Sequence, residues 1–142
     1  MRHLSVPLLL LMLAACATTT TDDTGWEDWG GFTLANNEIA VHHRVKEGQH
    51  RLELLRRLGD RDGTMRWDTL DVVPLELEPN TLVCLSATRE NGSGDFVAVA
   101  QDDAEHKHPV VRAWRVDASR RKLVPTDAAG IVCNAKEEPR TR

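Results

Sequence analysis

Thr81-Leu82-Val83-Cys84-Leu85-Ser86-Ala87-Thr88 and Asp95-Phe96-Val97-Ala98-Val99-Ala100-Gln101 decide the fold of this chain. Each is a short, nearly unbroken apolar run rich in β-favouring residues. Runs of that length and composition read as central strands covered on both faces. Glu90-Asn91-Gly92-Ser93-Gly94 lies between them and concentrates the residues that reverse a chain, so the two strands form one turn-linked unit.

Working outward from this pair, the same grammar repeats. Gln101–Pro109 is a polar loop and Val110–Val116 a further strand. Ala118–Lys122 turns into Leu123-Val124-Pro125, and Gly130–Cys133 is a last short strand. On the other side, Glu38–Lys46 alternates: Ile39, Val41, His43 and Val45 take one face, and Ala40, His42, Arg44 and Lys46 the other. Arg51–Leu58 fits either a strand or a helical face through Leu54, Leu55 and Leu58. Gly59-Asp60-Arg61-Asp62-Gly63 reads as a hairpin turn and favours the strand. The following strand carries Met65 and Trp67. Its phase then slips to Leu70 and Val72, which places a bulge near Asp68. Val73, Leu75 and Leu77 alternate around Pro74, whose missing N–H points to an edge or a bend. The expected fold is all-β: a small antiparallel sandwich or barrel of about eight short strands.

The chain opens with Arg2, an apolar run from Leu8 to Leu13, and Ala14-Ala15-Cys16. The run is shorter than the about 20 apolar residues needed to span a bilayer and has the layout of a signal peptide. Leu13-Ala14-Ala15-Cys16 resembles the lipobox of bacterial lipoproteins. That resemblance covers the first sixteen residues. It implies removal of residues 1–15 and attachment of acyl chains at Cys16, and two or more such chains hold a protein stably on a membrane. Ala17, where Asp would favour the inner membrane, is similar to an outer-membrane sorting signal, so the expected address is the outer membrane facing the periplasm. Residues 16–25, rich in Thr and Asp, read as a polar tether, 26–135 as one β domain, and 136–142 as a frayed charged tail.

The resemblance assigns Cys16 to lipid, which leaves Cys84 and Cys133 of the three cysteines. In an exported compartment that even pair reads as a disulfide. The spacing excludes a CxxC redox or zinc site. Loss of the leader removes one Arg and no acid. The mature chain then has 17 basic residues against 22 acidic ones, a formal charge of −5. That balance does not fit a nucleic-acid partner, which requires an excess of Lys and Arg.

No cofactor motif is present, and Gly-x-Ser-x-Gly, HExxH and a phosphate-binding glycine loop are all missing. His106 and His108 are two apart and have Asp102, Asp103 and Glu105 beside them, which makes this loop the best metal candidate; without a third well-spaced ligand, a solvated polar loop is the favoured reading. Asp60-Arg61-Asp62-Gly63 has part of a calcium loop's composition but lacks its distal glutamate, and reads as a turn. Trp26 and Trp29 read in the first place as clipping the first segment onto the core, and Trp26/Trp29 and the loop 102–108 are the candidate contact surfaces for a partner. The chain is also similar in build to small disulfide-linked lipoproteins that inhibit lysozyme. Their inhibitory loop carries Ser-Gly followed by Tyr, whereas here Ser93-Gly94 precedes Asp95-Phe96 and the chain has no tyrosine. The expected function is therefore a non-enzymatic envelope module contacting a protein or polymer, with a hydrolase inhibitor and a metal-binding protein as alternatives.

Overall fold

A computed structural model describes residues 24–103, 105 and 107–134, with Arg61 described by its backbone alone. The expected leader 1–15, the expected lipidation site Cys16, most of the expected tether, the tail from 136 and His106 lie outside the described residues. Every regular element described is a strand: β1 (Glu27–Leu34), β2 (Ile39–Lys46), β3 (Gln49–Arg61), β4 (Thr64–Leu75), β5 (Thr81–Arg89), β6 (Phe96–Gln101), β7 (Val110–Asp117), β8 (Lys122–Thr126) and β9 (Ile131–Cys133). Among them no helix is long and apolar enough to cross a membrane. They form two antiparallel sheets, ordered β1-β2-β3-β4 and β8-β7-β6-β5-β9.

The first sheet is a meander of tight hairpins. Glu47-Gly48 and Asp62-Gly63 each place two successive residues at positive φ (51° and 76°, 54° and 73°). Two such residues between strands match the right-handed strand twist, and glycine at the second position removes the steric cost there. Arg51–Leu58 is strand, inside β3, and the turn is confined to Asp62-Gly63, so Gly59–Arg61 extend the strand. The bulge expected near Asp68 lies at Leu70: Leu54 pairs with Asp71 and Leu55 with Thr69, which leaves Leu70 as the extra residue. The two alternating runs on either side of it are therefore one strand. Pro74 sits opposite Arg51 in β4, an edge strand, where its missing donor leaves the interior ladder intact. Beyond the Ile39–Arg56 rung β2 stops while β3 and β4 continue, so the hairpin from Arg57 to Trp67 projects as an arm with Leu58 and Met65 each 48 % exposed.

The main core lies between the sheets. Val41, Leu52, Leu54 and Leu75 face Val97, Val99, Trp114 and Leu123. Burying each aliphatic side chain contributes about 1.5–3 kcal/mol. Successive residues of a strand point to opposite faces. The alternate residues of β6, Phe96 and Ala98, accordingly join Cys84, Ala87, Ala113 and Ile131 in a second cluster on the far face. β9 pairs with β5 and also packs against β7. The sheet thus curls, and Ile131 caps the alanine-lined surface. That curl makes β6 a doubly covered strand with all of Phe96–Ala100 buried; β5 is covered mainly at Cys84 and Ala87. The Cys84–Cys133 disulfide, with Cα atoms 5.9 Å apart, ties β9 to β5 as the cysteine count implies.

Candidate functional site: the tryptophan end of the first sheet

β1 supplies both candidate tryptophans, and its local sequence explains their placement. Trp29-Gly30-Gly31 interrupts alternation. The register jumps from Asp28–Arg44 to Gly30–His43, which leaves Trp29 as a bulged extra residue. A bulge re-aims a side chain. Trp29 is turned outward, 58 % exposed, with its indole Nε1 donating to Glu27 Oε2 at 3.2 Å. Gly30, beside it, faces Leu85 of the second sheet.

Beneath Trp29 stand two imidazoles. Val45 pairs with His50 and His43 with Leu52, so His43 and His50 are diagonal neighbours on the inner face of β2 and β3. Their rings stack at 5.2 Å, and His43 Nε2 lies 2.9 Å from His50 Nδ1. Trp29 meets both edge-on, at 5.9 Å and 5.7 Å between centroids. His43 is the buried ring expected from its phase. Burial above all, then the neighbouring His50, pushes its pKa down to about 4 against a smaller upward pull from Asp28. Burial lowers His50 as well. Both rings are neutral at pH 7.

Trp26 lies elsewhere. Arg51 sits over its ring at 3.8 Å, on the outer face of the same sheet. Trp26 and Trp29 therefore share an end of the sheet without sharing a face, and they do not form one aromatic pair. Around Trp26 runs a polar ladder across three strands. Arg51 and Arg44 both engage Glu53, which is 4 % exposed. Arg44 also approaches Asp28 at 3.9 Å, and Asp28 accepts from His42 Nδ1 at 2.7 Å and from the Gly30 amide at 3.0 Å. An open groove of about 400 Å³ borders Asp28, Gly31, Phe32, Thr33 and His42.

The described part of the loop at 102–108 is tied together by its own hydrogen bonds. Asp103 Oδ1 accepts from the amides of Lys107 and His108, at 2.8 Å and 3.2 Å. His108 is buried, and its Nδ1 faces the Gln101 carbonyl at 3.2 Å. A carbonyl only accepts, so that nitrogen carries the proton. Asp102, Gln101, Asn80, Glu78 and Arg112 line a groove of about 490 Å³. Among the described residues no three His, Cys, Asp or Glu side chains converge on a metal position. The Ser93 hydroxyl donates to Asn91 Oδ1 at 2.5 Å within its own turn, Asp60 pairs with Arg57, and Glu78 pairs with Arg112.

His50 and Asp28 carry no motif, and sequence reasoning missed both. The available signal was the Glu47-Gly48 turn. It fixes the β2–β3 register, and from that register His43 and His50 become neighbours. No family model matches the chain, and neither a curated protein nor a solved structure matches it, so the reading of the site rests on its own geometry.

Proposed function

We propose that this protein is a lipid-anchored, non-enzymatic binding module of the bacterial cell envelope. Cys16 holds it on the membrane, with outer membrane facing the periplasm as its address. It contacts an envelope partner through Trp29. One observation carries this reading: a large amphipathic ring is more than half exposed yet fixed by Glu27, His43 and His50. A pre-positioned aromatic side chain costs little entropy on binding, which is why Trp anchors recur at contact surfaces. The charged groups nearby are engaged with one another, an arrangement that supports a recognition surface more than a reactive one.

The test is photocrosslinking in the native cells, with a benzophenone amino acid at position 29 of the full-length protein. The expected result is a discrete adduct from position 29 and none from position 62, at the tip of the projecting arm. Replacing Cys16 with Ser releases the protein from the membrane fraction. Equal labelling from both positions, or a Cys16→Ser protein that stays with the membrane, overturns the reading.

A further inference from the structure

We propose that Trp29 is a stacking platform for an uncharged sugar ring of an envelope glycan, flanked by Glu27 and His50 as hydrogen-bonding groups. This deepens the reading above and rests on it.

The first argument is charge. Arg44, Lys46, Arg51, Asp28 and Glu53 belong to the outer face, opposite Trp29, and Glu47 lies in the β2–β3 turn; on the Trp29 face the charged neighbour is Glu27, which holds the indole N–H. Most of the outer-face charges are already matched. Glu53 is held by Arg44 and Arg51, and Asp28 by His42, Arg44 and the Gly30 amide. Arg51 is laid over Trp26, and Lys46 Nζ donates to the Thr24 carbonyl at 2.7 Å. A nucleic acid or an anionic lipid needs free positive charge, and a basic peptide needs free negative charge. No cation adjoins the ring among the described residues that touch it, and the carboxylate beside it, Glu27, already accepts from the indole N–H. An uncharged ligand, whose hydroxyls can still donate to Glu27, suits a face with that carboxylate and no adjoining cation.

The second argument is shape. Neither groove, at Asp28–His42 or at Glu78–Arg112, is lined by Trp29. The ring, 58 % exposed, presents its surface as a platform. Pyranose rings present an apolar C–H face and a rim of hydroxyls. They match an amphipathic indole with polar groups at its border. Those groups are present. Glu27 accepts hydrogen bonds and already orients the indole N–H. His50 is half-buried, and its hydrogen bond to His43 uses Nδ1. That bond leaves Nε2 for a hydroxyl, which both donates and accepts and so suits either tautomer. Both imidazoles stay neutral at pH 7, so His50 offers dipolar contact without charge.

The test titrates the full lipidated protein, in detergent micelles, with chitotetraose, an uncharged β-1,4-linked N-acetylglucosamine tetramer. The readout is the Trp29 indole N–H resonance. A saturable shift is expected, unchanged between low and high salt. Affinity, measured in parallel by isothermal titration calorimetry, falls about tenfold in Trp29→Ala and stays within about twofold of the parent in Trp67→Ala. Glu27→Leu, at an exposed position that leaves the core untouched, also weakens binding and guards against a Trp29 variant that misfolds. No shift up to about 20 mM sugar overturns the inference. So does a shift that appears only with phosphatidylglycerol vesicles and fades with salt. If position 29 still crosslinks in cells while the sugar fails, the contact surface stands and the glycan does not.

Discussion

His43 Nε2 and His50 Nδ1 meet at 2.9 Å beneath an exposed tryptophan, and only one of the two nitrogens can hold the proton between them. Burial keeps His43 from protonating until about pH 4, whereas in the unfolded chain it titrates near 6.5. The unfolded state therefore binds more protons between those values, and stability rises with pH across the window. This contribution is fully present above about pH 6.5 and is lost as pH falls towards 4, a total of about 3 kcal/mol. Urea unfolding from pH 7.5 to 4.5 checks it, with carboxylate titration removed by comparison with His43→Gln. The difference between parent and variant is expected to shrink on acidification. A difference independent of pH counts against the assignment.

Glu53 is the hub of the outer ladder, bridging Arg44 and Arg51 while nearly buried. Removing its charge strands two guanidinium groups in a poorly hydrated place. Glu53→Gln is expected to destabilise by about 3 kcal/mol. Asp68→Asn, which removes an exposed partner of Arg56, should cost less than about 1 kcal/mol. Equal effects in parallel chemical denaturation would remove the ladder's special role.

The elements legible in the sequence were those where one rule acts alone. Val41 and Val45 alternate cleanly, and Phe96–Ala100 is apolar throughout, so β2 and β6 could be read directly, whereas Arg51–Leu58 in β3 also fits a helical face and leans to strand only through the turn signal after it. β1 was missed because a bulge at Trp29 and two glycines erase alternation over Glu27–Gly31. The phase slip between Trp67 and Leu70 marks the region of the bulge, whereas the extra residue, Leu70, is defined only by the pairing with β3. The site was harder. Trp29 could be named from type and exposure, whereas its support by His43 and His50 depends on strand register, which no single residue encodes.

The disulfide joins β9 to β5 across a sequence separation of 49 residues. Closing a loop of that size contributes about 4 kcal/mol by constraining the unfolded chain. Reduction, or Cys84→Ser with Cys133→Ser, is expected to lower stability by about that amount. It should also release Ile131 from the alanine-lined face first, because β9 is only three residues long. Hydrogen exchange should accelerate at Thr88–Arg89 and Ile131–Cys133 before it does in β2 and β3. Uniform acceleration would mean that the disulfide supports both sheets alike.

Gly31 and Gly63 separate packing from backbone conformation. A Cβ on Gly31 would lie 2.5 Å from the Val41 carbonyl oxygen and 2.9 Å from the His42 ring, and a backbone oxygen cannot step aside. Gly31→Ala must therefore push β1 from β2 and disturb the His42–Asp28 contact. A cost of about 2–3 kcal/mol is expected, in the range of overpacked sites. At Gly63 a Cβ meets nothing within 4 Å, but φ is +73°. Gly63→Ala should cost about 1–2 kcal/mol, through left-handed backbone strain alone. The His42 Nδ1 resonance tells the two apart: it should move in Gly31→Ala and stay fixed in Gly63→Ala. If Gly31→Ala is the milder of the two and leaves His42 unmoved, β1 is looser against β2 than this register implies.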